Sequence, residues 1–361
     1  MSRIKFPAIK SSAVAAAILL FTSNIAPADA HTWVEQVRRI ATNGTFVGDP
    51  GYSRGMIARG PGFSDPQQVY MLPPDGRGAE GILPTDKIAR FGEESYTAEF
   101  PKLAAAPGEI IALRYQENGH VSIPDSPPNK PANRGNVFIY ATDQPSDDDK
   151  FLDIHHKWNT DGTGGDKRGK LIATRNFDDG QCRQVNGGEI SQSRNQKFQK
   201  APDTLQGGDL WCQVDVLIPE DVAVDSVYTM FWVWDWPTLS PELAQKSKNG
   251  DYPTQGEGVE TPQVYTSAID INIVAADDTD LAGPASFAQQ NKASIDASFI
   301  GGEGVDVGNM AIKEQLSNMF IIPPPNVDAP PFNDDDENTE VPSVGTEAPA
   351  SSAPASSAPA S

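Results

Sequence analysis

Residues 227–236, with the sequence VYTMFWVWDW, decide the fold class of this chain. In an extended strand the side chains of Trp232, Trp234 and Trp236 share one face, while Phe231 and Val233 lie on the other. A strand that is apolar on both faces is typical of the centre of a sheet that is covered on both sides. Other runs rich in Val, Ile and Tyr alternate as strands do, namely 109–115 (EIIALRY), 136–141 (NVFIYA) and 264–274 (VYTSAIDINIV).

About seven or eight such strands are separated by clusters of Gly, Pro, Asn and Asp. This pattern favours an all-β domain over residues 31–276, an immunoglobulin-like antiparallel β-sandwich with long loops. The composition then changes, with an acidic run at 334–337 and a repeat of Ser, Ala and Pro at the end. Such a segment buries too little apolar surface to offset its ordering entropy, so residues 277–361 are predicted to form a disordered tail.

The charge balance excludes several classes of partner. The 361 residues include 49 Asp and Glu against 28 Lys and Arg, which gives a formal net charge of -21. This charge opposes binding to nucleic acid and to anionic membrane surfaces, because phosphate recognition depends on basic residues. Two cysteines are also too few for a cysteine-based zinc module. We predict a monomer that binds neither nucleic acid nor a membrane.

The first thirty residues have the features of a secretion signal. Arg3, Lys5 and Lys10 precede a short apolar run at 13–21 (AVAAAILLF), and residues 28–30 (ADA) form a small-x-small cleavage pattern. Nine apolar residues are too few to span a bilayer as a helix. The sequence therefore predicts a signal peptide at 1–30, a secreted extracellular protein, and His31 as the mature N-terminus.

Cys182 and Cys212 are the only cysteines of the chain. A secreted protein meets oxidising conditions, which favour a disulfide between them. The bond would close a loop of about 30 residues and stabilise the fold by about 3–4 kcal/mol. Two free buried thiols are the alternative that the residues alone leave open.

A histidine at a processed N-terminus can bind one metal ion through both its α-amine and its imidazole Nδ1. A third nitrogen from another histidine completes a set that favours copper over zinc or magnesium. His120 lies in a predicted turn just after the strand at 109–115, where a ligand is expected. His155 and His156 are adjacent, so in a strand their rings would point apart; they are the fallback if His120 is not a ligand.

The start HTW at 31–33 resembles that of lytic polysaccharide monooxygenases, which are secreted copper enzymes with a histidine brace on an immunoglobulin-like sandwich. Three further islands follow in the family's order. They are His120 with 135–140 (GNVFIY), 212–219 (CQVDVLIP) leading into 230–234 (MFWVW), and 263–265 (QVY).

The resemblance implies the roles of several residues. His31 and His120 would hold one copper ion, Tyr265 would lie on the copper axis, and Gln263 would hydrogen-bond the oxygen species. The family often has a cysteine three residues after this tyrosine, but Ala268 stands there. Cys182 must then pair with Cys212, and the chain resembles a divergent branch of fungal secreted proteins that begin HTWVEQ.

The predicted function is a copper-dependent monooxygenase that cleaves an insoluble polysaccharide oxidatively, with chitin, cellulose, hemicellulose or a cell-wall glycan as its partner. It would need an external electron donor. One alternative is a copper-binding protein that keeps the brace without catalysis and serves metal acquisition or sensing. Another is a structural cell-wall or matrix protein. We expect the imidazoles of His31 and His120 to converge with the phenol of Tyr265.

Overall fold

The computed structural model of the chain describes residues 31–41, 44–77, 80–123, 128–200, 205–247 and 252–276, together with 311, 312, 314, 315, 319 and 320. The predicted signal peptide at 1–30 and most of the predicted tail lie outside the described residues. Within the described ranges, no helix has both the length and the apolar character needed to cross a membrane.

The described residues form two sheets and a two-stranded ribbon, with a few short helices between the strands. The strands are β1 (Val34–Ile40), β2 (Phe46–Gly51), β3 (Met71–Leu72), β4 (Leu103–Ala105), β5 (Ile110–Tyr115), β6 (Asn136–Thr142), β7 (Gly169–Asn176), β8 (Cys212–Leu217), β9 (Ser226–Asp235), β10 (Thr238–Leu239), β11 (Val259–Thr261) and β12 (Val264–Ile273). The α-helices are α1 (Phe151–Ile154), α2 (Glu189–Lys197) and α3 (Pro241–Lys246).

The two sheets are built almost wholly from antiparallel pairs. One has the order β2-β1-β5-β8, and the other has the order β3-β12-β9-β6-β7. The single parallel pair among the described strands joins β4 to the outer edge of β12. The predicted fold class, an antiparallel β-sandwich of immunoglobulin type with long loops, is confirmed.

The central strand β9 is covered on both faces, as its sequence predicts. Trp232 and Trp234 lie in the core between the two sheets, together with Tyr115 of the facing sheet. Phe231 and Val233 belong to a second apolar cluster on the outer face of the larger sheet, beneath α1. Because successive residues of a strand point to opposite faces, β9 fixes the positions of two different layers of side chains.

Cys182 and Cys212 form a disulfide, with their Cα atoms 4.6 Å apart. Cys212 begins β8 of the smaller sheet, and Cys182 follows β7 of the larger one. The bond therefore ties the two sheets together, the predicted pairing is confirmed, and the alternative of two free thiols is wrong.

A short part of the predicted tail packs against the smaller sheet. Ala311 joins an apolar cluster on the outer face of that sheet. The backbone N–H of Ile312 donates to Asp215 Oδ2 at 2.6 Å, and the Gln315 amide donates to the Gln213 carbonyl at 3.0 Å. Composition alone does not reveal that these residues contact a sheet surface, and the disorder predicted for the tail stays a prediction. The rest of 277–361 lies outside the described residues.

Candidate functional site

The start of β1 is tied to the turn that follows β5. His31 stands three residues before β1 and is half-buried. Its backbone carbonyl accepts a hydrogen bond of 2.6 Å from the side-chain amide of Asn118. The next residue, Thr32, donates its hydroxyl to the Gln116 carbonyl at 2.7 Å. These bonds hold the predicted N-terminus against the chain segment that carries His120.

Glu117 fixes the conformation of this turn. Its buried carboxylate accepts hydrogen bonds from the backbone N–H of Val121 at 2.7 Å and from the hydroxyl of Ser122. Asn118 and Gly119 have φ values of 50° and 85°, in the left-handed region that Asn and Gly adopt most readily. The sequence ENGH therefore folds into a turn that presents His120 in one orientation.

The ring of His120 is enclosed by aromatic side chains and is 5% exposed. It packs edge-on against Trp236, Trp234 and Phe177, with centroid separations of 4.5, 4.8 and 6.0 Å. These edge-to-face contacts are favourable for aromatic pairs and restrict the rotation of the imidazole.

Tyr265 and Gln263 lie next to this aromatic cluster, where Tyr265 contacts Trp234. Tyr265 is 1% exposed and stacks on Trp234, with ring centroids 5.1 Å apart. The side-chain amide of Gln263 donates to the Tyr265 hydroxyl at 2.7 Å. The two residues that the resemblance singles out therefore contact each other directly.

Lys130 completes this group and is not among the residues predicted from the sequence. Its ammonium donates to Gln263 Oε1 at 2.6 Å and to the Trp236 carbonyl at 2.8 Å. It also lies 4.1 Å from the centre of the Trp236 ring. Burial lowers the pKa of Lys130 to about 7, and the charge of Asp235 opposes part of that shift. No local pattern marks Lys130, because its partners are more than 100 residues away along the chain.

Asp65 is a second residue near the predicted site that sequence reasoning missed. Its Oδ2 lies 3.5 Å from Nδ1 of His31, the ring nitrogen that a histidine brace would use. It follows Ser64 in a loop between β2 and β3, and nothing in the loop's sequence indicates that it faces His31.

A chain of contacts connects the predicted site residues. His31 is bound to the turn of His120, His120 packs on Trp234, and Tyr265 stacks on the same ring. The convergence of the two imidazoles and the phenol on one point stays a prediction.

Within the described part of the chain, two groups of three His, Cys, Asp or Glu side chains have their ligand atoms within 4.8 Å of one another. One contains His155, His156 and Asp235, and the other contains Asp179 with the two disulfide-bonded cysteines. Neither group includes His31 or His120. The proposed copper ligands are the two imidazoles of these residues and the α-amine that cleavage would create at His31.

The rings of His155 and His156 do not point apart as they would in a strand. His155 follows α1, and His156 has a φ of 58°. This left-handed conformation turns the second ring back, so that the ring centroids are 3.9 Å apart. The two residues do not lie in a strand, so the expectation for strand geometry does not apply to them.

Taken together, the fold and these contacts define an antiparallel β-sandwich protein with a histidine-bearing turn packed on tryptophans near the start of β1. The chain belongs to the family described as "Domain of unknown function (DUF7492)", whose model matches residues 28–300. No curated protein matches the chain in sequence.

Several solved structures are similar to the chain at low sequence identity. A structure of polysaccharide monooxygenase CBM33 is 12% identical, with a TM-score of 0.20, and the match covers 49% of this chain and 61% of that one. A CBM33 protein from Bacillus amyloliquefaciens in complex with Cu(I) is 14% identical, with a TM-score of 0.25 and coverage of 58% and 81%. A cellulose-active polysaccharide monooxygenase from M. thermophila is 16% identical, with a TM-score of 0.28 and coverage of 68% and 78%. TM-scores below 0.5 do not establish a common fold, so the fold assignment rests on the strand pairing described above.

Proposed function

We propose that this chain is a secreted copper-binding protein that oxidises an insoluble polysaccharide, with His31 and His120 holding one copper ion. The observation that carries the proposal is the 2.6 Å hydrogen bond from the Asn118 side chain to the His31 carbonyl. It ties the residue that signal cleavage would make N-terminal to a point two residues before His120. Because this bond already holds the two segments together, His31 and His120 could bind one ion with little additional loss of chain entropy.

The donor set fits copper chemically. After cleavage behind Ala30, His31 offers an α-amine and an imidazole, and His120 offers a second imidazole. Three neutral nitrogens of this kind suit copper, whereas magnesium prefers oxygen ligands. The α-amine has an ordinary pKa of about 7.7–8.0, so a metal displaces its proton readily near neutral pH.

Bound copper would supply the electron transfer needed to oxidise a sugar C–H bond, with an external reductant and an oxygen-derived oxidant. The residues of the chain would position and shield this chemistry. The aromatic rings around His120 fix its imidazole and exclude water from one side of the site. Gln263 holds the hydroxyl of Tyr265, and Lys130 holds Gln263 in turn.

A second candidate function is copper binding without catalysis, for metal acquisition or sensing. Asp65 favours it, because a carboxylate 3.5 Å from His31 Nδ1 could bind the same ion. A hard anionic oxygen ligand stabilises Cu(II) relative to Cu(I) and so opposes the reduction that the oxidative chemistry requires.

The first experiment determines the N-terminus and the copper affinity. The full chain is expressed with its leader in a secreting host, and the intact mass of the product is measured. We expect a protein that begins at His31 and binds one Cu(II), with nitrogen couplings in its EPR spectrum. A matched control carries one extra glycine before His31, which keeps both imidazoles and removes only the α-amine at that residue.

Both the glycine extension and His120→Gln should weaken copper binding more than about 100-fold, because losing even an outer partner of a ligand costs about 10–100-fold. A mature terminus other than His31, or unchanged copper affinity in both variants, would overturn the proposal and favour a structural cell-wall or matrix role. The copper-loaded protein is then incubated with chitin, cellulose and hemicelluloses, a reductant and peroxide. Oxidised oligosaccharides support the enzyme, and tight copper binding with no such products across the panel supports the second candidate.

A further inference from the structure

We infer that His155, His156 and Asp235 form a second metal site, separate from the proposed copper site, which takes a zinc-like divalent cation. We name these three side chains the Asp235 cluster. Their ligand atoms lie within 4.8 Å of one another.

The Asp235 cluster lies on the outer face of the larger sheet. Asp235 is the last residue of β9 and alternates with Trp234 and Trp236, which line the inter-sheet core. Its side chain therefore points the opposite way, toward the layer that includes α1. His155 comes directly after α1 and contacts Phe151 of that helix, with ring centroids 4.8 Å apart.

The distances in the cluster suit ligands of one cation. His155 Nε2 lies 3.3 Å from Asp235 Oδ2, and His156 Nε2 lies 3.9 Å from the same oxygen. Zinc binds nitrogen and oxygen ligands at about 2.0–2.2 Å, so two ligand atoms of a tetrahedral site are roughly 3.3 Å apart. The Nε2 atom of His155 is already at this separation from Asp235 Oδ2, and that of His156 would have to move about 0.6 Å closer.

The buried carboxylate of Asp235 is hydrogen-bonded through only one of its two oxygens, Oδ2, among the described residues. The residue is 0% exposed, and its Oδ1 has no hydrogen-bond partner in the part of the chain that the structure describes. A buried carboxylate oxygen without a partner is costly, and such groups in native proteins usually mark a bound ion, a water or a functional role. A cation between the two imidazoles and the carboxylate would compensate this charge.

The backbone of His156 is held in a conformation that serves the cluster. Its φ of 58° is uncommon for a residue with a side chain and costs about 1 kcal/mol or more. The result is that two consecutive rings face one carboxylate. His156 is also exposed, with 45% of its side chain accessible, so the cluster has an opening through which a cation can enter.

The surrounding hydroxyl groups match what a zinc-bound histidine needs. His155 Nδ1 lies 3.0 Å from the Tyr140 hydroxyl, whose oxygen also accepts the backbone N–H of His156. With a metal on Nε2, His155 carries its proton on Nδ1 and donates it to the Tyr140 oxygen, as metal-bound histidines usually do with their second nitrogen. The Thr254 hydroxyl now bridges Nε2 and Oδ2 at 2.9 and 2.6 Å, and the cation would replace it in that position.

The chemistry of the three ligands defines the class of cation. Two imidazoles and one carboxylate with an open fourth position form a set typical of zinc, whereas calcium and magnesium prefer sets made of oxygen. Tetrahedral Co²⁺ is a suitable spectroscopic substitute, because its visible spectrum reports the number and type of ligands.

The test uses the full mature chain after removal of metals with a chelator. Zn²⁺ alone is titrated by calorimetry into the wild-type protein and into His120→Gln, which disables the proposed copper site. We expect one zinc to bind in His120→Gln, and His156→Gln in that background to weaken it at least about tenfold. His156 is exposed, so this variant should fold normally, which circular dichroism checks. Glu242→Gln, at an exposed acidic residue of α3 that pairs with Lys246 and is not part of the cluster, is the matched control and should leave the zinc affinity unchanged.

The Co²⁺ spectrum gives the second readout. An intense visible band of four-coordinate cobalt that disappears in His156→Gln supports the Asp235 cluster. Zinc binding that is lost in His120→Gln but kept in His156→Gln overturns the inference, and so does a protein that binds no zinc in the His120→Gln background. Asp235→Asn should abolish the cobalt band as well, and retention of the band in a folded Asp235→Asn protein would equally overturn it.

Discussion

The ammonium of Lys130 donates a 2.6 Å hydrogen bond to the side-chain oxygen of Gln263. Because the Gln263 oxygen faces Lys130, its NH₂ group is turned toward Tyr265 and donates to the Tyr265 hydroxyl. Lys130 thus sets which end of the Gln263 amide faces Tyr265. Lys130 does not contact the Tyr265 hydroxyl itself but orients Gln263, so its role is that of a positioning residue.

Replacing Lys130 by Met should free the Gln263 amide to rotate and loosen its hydrogen bond with Tyr265. We expect the copper EPR parameters to change and the rate of polysaccharide oxidation to fall about tenfold, with the protein still folded. Lys130→Arg keeps a cation and donors and should restore most of the wild-type spectrum. An EPR spectrum that is identical in wild type and Lys130→Met would contradict the positioning role.

Glu117→Gln should destabilise the turn that carries His120. The carboxylate accepts bonds from Val121 N–H, the Ser122 hydroxyl and Gln184 N–H, and an amide cannot accept all of them. Loss of buried acceptors of this kind costs about 1–3 kcal/mol. The free energy of unfolding, measured with denaturant, should fall by about that amount.

The same Glu117→Gln change should weaken copper binding, because the orientation of His120 depends on the turn. Glu242→Gln on the exposed face of α3 is the control and should change stability by less than about 0.5 kcal/mol. Equal stability in Glu117→Gln and Glu242→Gln would show that the carboxylate does not fix the turn.

The fold could be predicted from local patterns to a large extent. The alternation in β5, β6, β9 and β12 is a property of neighbouring residues, and each of these strands forms where its sequence predicts it. The disulfide followed from the number of cysteines together with the resemblance. These features depend on composition and on period-two patterns, which one sequence contains in full.

The candidate site was less predictable because its contacts join distant parts of the chain. Lys130 and Gln263 are 133 residues apart, and no periodicity connects them. Asp65 meets His31 from a loop whose path is not encoded in its local sequence. The close approach of His155 and His156 required a left-handed backbone at His156, a conformation that Gly and Asn adopt far more often than most residues and that one sequence does not locate.

The buried ion pair between Arg54 and Asp270 should contribute strongly to stability. Arg54 donates two hydrogen bonds, of 2.9 and 2.8 Å, to the carboxylate of Asp270, which is fully buried on β12. Asp270 also accepts the Thr229 hydroxyl at 2.6 Å. Replacing Arg54 by Met removes both of these bonds and leaves the buried carboxylate with the more distant Lys102 ammonium, 4.0 Å away.

We therefore expect Arg54→Met to lower the free energy of unfolding by about 3–5 kcal/mol, the usual cost of breaking a buried ion pair. The exposed pair of Glu242 and Lys246 offers the comparison, and Lys246→Met should cost about 0–1 kcal/mol. Thermal unfolding of both variants measures the contrast, and similar melting temperatures would contradict it.

The stability of the fold should also depend on pH through Asp215, to which Ile312 is bound. Burial raises the pKa of this carboxyl from 3.8 to about 7, although the Ile312 N–H acts in the opposite direction. The folded protein therefore holds the proton more tightly than the unfolded chain does. The resulting stabilisation is fully present below about pH 4 and is lost as the pH rises through 7.

Between pH 4 and pH 8 this group should lower the free energy of unfolding by at most about 4 kcal/mol, at about 1.4 kcal/mol for each unit of pKa difference. Denaturant unfolding of wild type and Asp215→Asn over that range isolates the effect, because an amide cannot titrate. As the pH rises toward 7, the free energy of unfolding of the wild type should fall relative to that of Asp215→Asn. A difference that stays constant from pH 4 to pH 8 would mean that Asp215 titrates alike in the folded and unfolded chain, and that the contact of Ile312 with Asp215 is insensitive to its charge.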